Sequence, residues 1–273
     1  MVNQRFSVVM SVYRADDPAQ FGAAFESVLD QSVVPDEIVV VVDGPIGAAL
    51  RSAVDLVQEH PLVRVIDLPV NMGLGGARDL AVRASKHEVI AVMDADDISV
   101  HRRFEMQLGA LESSGADVIG GYIEEFEDSN IGVRRVRKVP LLHDQVIAMG
   151  RWRQPVNHVT IMFKRQAYVR AGGYRPIRHV EDYDMFARMF VTDVKFRNIP
   201  EVLVHVRCGK ELFGRRSGYH YLRAELALLH RMRRSGFLSL PVWIAGSGIR
   251  VVTRMVPRGI VGWIYRAFLR EAA

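Results

Sequence analysis

Apolar residues are grouped along this chain in two alternating rhythms. Phe6–Val12 is a compact apolar run, and Glu37–Val42 reads Glu-Ile-Val-Val-Val-Val, too uniformly apolar to leave a face for water. Residues 62–68 and 88–93 repeat the theme. Between the first two runs, Asp16-Asp17-Pro18 supplies turn and helix-start chemistry. Phe21, Ala24, Phe25, Val28 and Leu29 then follow at helical spacing. Residues 46–57 and 75–85 read as further helices. Strands buried on both faces and separated by helices predict an α/β fold, a mainly parallel, doubly wound sheet with helices on both faces.

The alternation loosens after Met93. The pattern predicts a helix over 100–113, a strand over 117–126, a strand over 159–163, a helix over 181–191 and a late strand over 202–206. Residues 127–153 are polar and irregular, which reads as a flexible loop. From Phe213 onward no strand pattern is convincing, so a helical C-terminal extension is expected. No internal repeat is visible.

The 273 residues are 49% apolar and 25% charged, which excludes disorder and low-complexity sequence and leaves material for a sizeable core. A single cysteine, Cys208, excludes an intramolecular disulfide framework and cysteine-rich zinc sites, and suits a reducing cytoplasm. The lead-in Met-Val-Asn-Gln-Arg reads as too short for a signal peptide, and no stretch approaches the ~18–20 apolar residues of a membrane span. Net charge is +5, but it is unevenly spread. Residues 1–206 hold 23 Lys/Arg and 28 Asp/Glu, a net of −5; residues 207–273 hold 13 and 3, a net of +10. An acidic body and a basic tail suited to something anionic are implied.

Ligands of open parallel sheets sit beyond the carboxyl ends of the strands. Those ends carry Ser11-Val12-Tyr13, Asp43-Gly44-Pro45 and Asp94-Ala95-Asp96-Asp97. Two carboxylates one residue apart at a turn can share a hard divalent cation such as Mg²⁺ or Mn²⁺, which prefers oxygen ligands and keeps positions open for phosphate. The plainer reading is a solvated loop that caps a helix; an apolar strand before it and a further strand-end acid, Asp43, favour the metal. Asn71-Met72-Gly73-Leu74-Gly75-Gly76-Ala77-Arg78 is a glycine-rich helix entry that could receive an anion, or simply a turn and cap. It is neither a dinucleotide fingerprint, because Arg78 stands where glycine is needed, nor a P-loop. Arg78 could pair with a diphosphate or with a strand-end aspartate. Glu181-Asp182 lies at an expected helix start, where acids are stabilising without catalysis, yet could supply a general base. The nine histidines show no metal-ligand spacing, and His158 and His205 read as structural by default.

Taken together, the chain resembles the family 2 glycosyltransferases of the GT-A fold, particularly those of bacterial cell-surface polysaccharides. The resemblance rests on Val8-Val9-Met10-Ser11-Val12-Tyr13, Glu26-Ser27-Val28-Leu29-Asp30-Gln31 and Pro35 through Gly44. It also rests on Asn71-Met72-Gly73-Leu74, Met93-Asp94-Ala95-Asp96-Asp97, Gly172-Gly173-Tyr174 and Glu181-Asp182-Tyr183-Asp184, in matching order over about residues 5–207. It implies inverting transfer of a sugar from a nucleotide-diphosphate donor, UDP by family expectation, to a hydroxyl of a glycan or lipid-linked acceptor. By that resemblance Ser11, Tyr13 and Asp43 hold the nucleobase side, Asp94 contacts ribose or metal, and Asp96 binds Mg²⁺ or Mn²⁺. Asp182 is the base, with Glu181 as orienting group or substitute, and His205 and Arg207 lie near the diphosphate. Arg78 is placed with the donor. A catalytic domain over 1–207 is expected, with a nucleotide-sugar half near 1–97, an acceptor half near 98–207 and a basic amphipathic tail over 208–273.

Two departures stand out. Asp79 replaces the Asn common in relatives and would repel a diphosphate unless offset. The Gln-x-x-Arg-Trp motif of processive synthases is absent, which favours single-sugar addition. In the tail, Arg250, Arg254, Arg258, Arg266 and Arg270 fall at multiples of four among Val251, Met255, Ile260, Trp263 and Phe268. That suits an anionic membrane interface on the cytoplasmic side, and packing on the catalytic domain is the competing reading. A nucleic-acid partner is disfavoured by the acidic rim. A sugar nucleotidyltransferase would carry its glycine-rich loop directly after the first strand, where Tyr13-Arg14-Ala15-Asp16 stands. A non-catalytic nucleotide-sugar-binding protein would not be expected to keep Asp94, Asp96 and Asp182 all intact.

Overall fold

The computed structural model describes residues 4–127, 130–208 and 219–255. The chain divides into two compact units, Met1–Gly209 and Lys210–Ala273.

In the first unit the order is β1 (Phe6–Val12), α1 (Pro18–Leu29), β2 (Glu37–Val42), α2 (Ala48–Gln58), β3 (Val63–Asp67), α3 (Gly73–Ala84) and β4 (Val89–Val92). These four strands are parallel, in the spatial order β3-β2-β1-β4. The chain therefore winds outward from β1 and returns through α3 to β1's other side. That return makes the carboxyl ends of β1 and β4 the switch point where a crevice opens. Side-chain alternation feeds both faces. Phe6, Val8, Met10, Ile38, Val40 and Val42 join Phe21 and Val28 of α1 and Leu50 and Val54 of α2, while Ala77, Ala81 and Val82 of α3 are buried where that helix packs on β1 and β2. At about 1.5–3 kcal/mol for each large apolar side chain buried, neither face of β2 can be given to solvent. α1 starts where the sequence places it: Asp17 caps it by accepting from the Ala19 and Gln20 amides at 2.9 and 3.0 Å, with Pro18 in the first turn.

Next come β5 (Ile98–Ser99), α4 (Arg103–Ser114), β6 (Val118–Glu127), β7 (Asn130–Arg137), α5 (His143–Gly150), β8 (Met162–Lys164), α6 (Arg165–Arg170), α7 (Glu181–Met189) and β9 (Phe196–Arg207). Here the sheet is mixed: β8 runs antiparallel between β4 and β6, β9 is parallel to β6, and β5 and β7 add antiparallel edges. Residues 127–153 correct the expectation of an irregular loop, since they contain β7, paired with β6, and the helix α5. Among the described side chains there, Val139 and Val146 are the buried hydrophobic ones, so the apolar signal is thin. Residues 159–163 are part 3-10 turn, His158–Thr160, and only then strand. β9 is twelve residues long rather than the five expected from 202–206.

The second unit shows α8 (Tyr219–Arg234) and α9 (Leu240–Met255) packed together. Arg250 and Arg254 of the expected basic stripe reach Glu225 of α8 at 3.7 and 3.1 Å, and Arg254 lies 4.7 Å over the Tyr221 ring. Both arginines thus share one carboxylate within the tail itself. Arg258, Arg266, Arg270, Trp263 and Phe268 lie outside the described residues. Among the described residues no helix is long and apolar enough to cross a membrane.

Candidate active site

The carboxyl end of β2 gathers the glycine-rich turn. Asp43, buried, accepts from the Met72 amide at 2.6 Å and from Asn71 Nδ2 at 2.8 Å. Gly44 has φ +85°, and a Cβ there would lie 2.7 Å from the Asn71 nitrogen, so only glycine lets the two backbones meet. Asp43 therefore positions residues 71–76 at the rim through both carboxylate oxygens, whatever else it touches.

That turn launches α3, and two adjacent side chains of this helix serve opposite sides. Arg78 is buried and forms an ion pair with Asp94 at the end of β4. Burial alone would lower its pKa, but Asp94 and then Tyr174, Glu181 and Asp182 more than offset that, so it is raised. Three carboxylates from distant parts of the sequence thus act on one guanidinium. Asp79 points to other partners: Tyr168 donates its hydroxyl to Oδ1, and Arg83 Nε donates to Oδ2 at 2.6 Å. The same Tyr168 oxygen accepts the Tyr174 amide at 2.9 Å, and a Cβ on Gly173 (φ +65°) would sit 2.7 Å from Asp79 Oδ1. Asp79 is an anchor for the Gly172-Gly173-Tyr174 turn, which answers the repulsion its sequence position suggested.

The acid loop after β4 is held from several directions. Asp97 is 3% exposed and accepts the Arg207 amide at 2.9 Å. Burial, then the charges of Asp94 and Asp96, push its carboxyl well above the usual range. Arg207 Nε donates to the Asp96 carbonyl at 3.1 Å, and its guanidinium stacks 4.9 Å over Phe126. The loop's exit is fixed by α1: Ser27 Oγ accepts the Ser99 amide at 3.0 Å, and Gln31 Nε2 donates to the Val100 carbonyl at 2.8 Å. Beneath it Arg103, fully buried, donates to the carbonyls of Val92 and Val159 at 2.7 and 3.0 Å, to Ser99 Oγ at 3.2 Å and to Gln107 Oε1 at 3.0 Å. Desolvation lowers its pKa to about 9, against the pull of Asp94 and Asp97.

α7 brings the remaining acids. Asp182 is half-buried; its Oδ2 accepts from Gln154 Nε2 at 2.8 Å and its Oδ1 from the Tyr183 amide at 2.6 Å. Glu181 is more deeply buried, and its Oε2 has no hydrogen-bond partner. Burial, then Asp182, raise its pKa. Gly75 explains how α7 comes so near α3: a Cβ there would lie 2.7 Å from the Arg175 carbonyl and 3.3 Å from Glu181 Cβ. His158 is buried, shares a 2.6 Å hydrogen bond with Tyr174 and is held neutral by burial and by Arg78, a structural role as the sequence suggested.

Of the other residues singled out from the sequence, Ser11 is half-buried on β1 opposite Val41, and the Tyr13 amide donates to Asp16 at 2.9 Å just past the strand. His205 Nδ1 lies 2.9 Å from Glu124 Oε2, which also receives Arg134 at 2.9 Å, so its polar neighbour is on β6. Sequence reasoning missed Arg103 and Gln154. Arg103 and Gln107 stand eight and four positions before Leu111, a spacing that carries both polar residues along one edge of the helix's apolar face, the one signal available.

A family model described as glycosyl transferase family 2 matches residues 7–178. The amylovoran biosynthesis glycosyltransferase AmsE of Erwinia amylovora is 31% identical over 265 residues, covering 95% of this chain and 97% of that one. The UDP-Gal:alpha-D-GlcNAc-diphosphoundecaprenol beta-1,3-galactosyltransferase of Escherichia coli is 29% identical over 268 residues, covering 98% and 97%. The fold recurs in the mannosyltransferase PcManGT of Pyrobaculum calidifontis, solved with GDP-Man and Mn²⁺. Its TM-score is 0.60 at 16% identity, over 99% of this chain and 82% of that one.

Proposed function

The chain belongs to glycosyl transferase family 2 and is a glycosyltransferase, and from that premise we propose a metal-dependent, inverting transfer of a sugar from a UDP-sugar to a hydroxyl of a lipid-linked or glycan acceptor in cell-surface polysaccharide synthesis. The observation that carries this reading is that α3 meets both sides: its Arg78 pairs with Asp94 of the donor-side acid loop, and its Gly75 lets Glu181 of α7 pack close against it. A leaving diphosphate and an attacking hydroxyl need charge control on opposite faces of one sugar, and these are the groups that supply it. The E. coli relative's name supports a UDP donor and a diphosphate-linked lipid acceptor.

The residues present fit a magnesium or manganese ion. Among the described residues no cluster of three or more His, Cys, Asp or Glu side chains forms a ready cage. A hard cation held by one or two carboxylates and completed by diphosphate oxygens needs no such cage. Asp96 would be the principal ligand, Asp94 would share the ion or a ribose hydroxyl while paired with Arg78, and Asp97, buried on the Arg207 amide, would take no part. When bound, the ion neutralises charge growing on the departing diphosphate. Ser11, Tyr13 and Asp43 border the nucleobase side and Arg207 steadies the acid loop. The acceptor oxygen attacks the anomeric carbon, the bond to the diphosphate breaks, and Asp182 takes the hydroxyl proton.

In calorimetry, UDP is expected to bind the wild-type chain only with Mn²⁺ or Mg²⁺, and Asp96→Ala to weaken that binding at least ~10-fold, an effect of about 1.4 kcal/mol. Equal metal-dependent binding by the variant would remove Asp96 from the metal site.

The basic tail is read as a contact with an anionic membrane surface on the cytoplasmic side, where a lipid-linked acceptor is met; its net charge supports this. Glu225 offsets one of the two charges of Arg250 and Arg254, and residues 256–273 are the part of the tail where Arg258, Arg266 and Arg270 are interleaved with Ile260, Trp263 and Phe268. Deleting residues 256–273 should lower co-sedimentation with anionic vesicles, at about 1 kcal/mol for each basic residue removed near the surface. Unchanged sedimentation would end this reading of the tail.

A further inference from the structure

We propose that Arg151, Trp152 and Arg153 form a subsite for an acceptor that carries a diphosphate beside the sugar it presents; this rests on the glycosyl-transfer reading above and assigns residues to its second substrate. The three residues follow α5 directly. Their amides turn back onto its last carbonyls: Arg151 to Ala148 at 3.4 Å, Trp152 to Met149 at 2.9 Å and Arg153 to Met149 at 3.0 Å. On each side of the trio, one bond ties the segment to α7. Tyr183 donates its hydroxyl to the Gly150 carbonyl at 2.7 Å, and Gln154 donates to Asp182 itself at 2.8 Å. A Cβ on Gly150 would lie 2.6 Å from the Phe190 ring, so the approach of α5 to α7 is close as well as bonded. A ligand held by residues 151–153 is therefore held at a fixed offset from the carboxylate that would take its proton.

The chemistry of the trio is specific. Both arginines are exposed, and Trp152 between them is 44% exposed. Arg175 and Arg178, exposed on the segment that leads into Glu181, extend the positive charge along the other approach to Asp182. The donor side is the reverse, with Asp94, Asp96 and Asp97 on one loop. One diphosphate can be accommodated there through a cation; a second one would be repelled and needs its own guanidinium donors, which match phosphate oxygens in pairs. An indole offers an apolar face to the C–H face of a pyranose. A neutral glycan would be served by the indole and a few hydrogen bonds, and calls for no accumulation of positive charge. The acceptor's diphosphate is recognised and left intact: its sugar hydroxyl forms the new bond, the proton goes to Asp182, and the nucleoside diphosphate leaves.

The test is calorimetry on the full chain with its donor site saturated by UDP and Mn²⁺, titrated with geranyl diphosphate, inorganic pyrophosphate and geraniol. Geranyl diphosphate is expected to bind, geraniol not to bind, and R151A/R153A to weaken the diphosphate at least ~10-fold while UDP affinity stays within about twofold. R151K/R153K should fall between the two, because lysine keeps the charge but loses the paired donors. Equal binding by wild type and R151A/R153A, or no binding by wild type, would overturn the subsite, and a lysine variant as strong as wild type would overturn its guanidinium pairing. Binding of pyrophosphate equal to that of geranyl diphosphate supports recognition of the diphosphate with no lipid contribution. Absence of UDP binding to the wild-type chain would count against the donor reading instead, and the geranyl diphosphate titration would still decide the rim.

Discussion

Asp182→Asn should lower transfer by roughly 10²–10⁴-fold, the range lost when a positioned general base is removed, with UDP affinity within about twofold of wild type. The expectation follows from where its two oxygens go. Gln154 and the Tyr183 amide hold the carboxylate in one orientation without neutralising it, and its half-buried position leaves it open to an incoming hydroxyl. Asn keeps the size and one acceptor, so the loss reports proton removal rather than collapse of the helix start. Single-turnover kinetics with saturating donor is the direct measurement. Near-normal turnover would move the base to Glu181. A pH profile separates the two: Glu181 has a raised pKa, from burial first and Asp182 second. As its carboxyl must be ionised to accept a proton, activity carried by Glu181 would fail at a higher pH on acidification than an ordinary carboxylate predicts.

Arg103→Met should cost the catalytic unit roughly 2–6 kcal/mol. That is the sum of about 1–3 kcal/mol for each of two buried carbonyls, those of Val92 and Val159, left without a donor. At ~2–4 °C per kcal/mol for a domain of this size, thermal unfolding is expected on the order of 10 °C lower. Methionine matches the length of the buried stem, so packing changes little and the missing donors dominate. A shift of less than about 2 °C would mean that the carbonyls find other partners and that the guanidinium is dispensable to the fold. Arg103 also faces the field of Asp94 and Asp97. Its removal should leave the acid loop looser and more negative as well as the core weaker.

The sheet was legible because β1, β2 and β4 are nearly pure apolar runs whose burial leaves one architecture open to them. The acid cluster after β4 was legible as a cluster, but not that Asp97 is buried on the Arg207 amide or that Asp94 pairs with Arg78. Legibility failed where the determining contact is long-range. Arg103 reads as a solvated helix residue, because nothing in its neighbourhood says that two carbonyls from Val92 and Val159 await it. Asp79 reads as a defect until Tyr168, 89 residues away, is seen to bond it. α5 is a short helix whose buried residues are Val146 and Gly150, and residues 134–137 of β7 are mainly exposed, so their hydrophobic periods are faint. β9 begins with alternating burial and contains Pro200, which hid its first half. The serine and glutamine of the Glu26–Gln31 segment acquire a reason only in three dimensions, where they lock the exit of the acid loop.

The two bonds that bracket residues 151–153 have an evolutionary corollary. Gly150 and Gln154 fix the backbone of that rim to α7, while the three side chains between them carry no part of the fold's core. On the proposed reading, mutations there would change which acceptor is grasped without moving the proton-accepting carboxylate. Descendants of such an enzyme could exchange glycan partners by drift at three codons, whereas retuning the donor would have to proceed through Arg78 and Asp94, which are tied to each other.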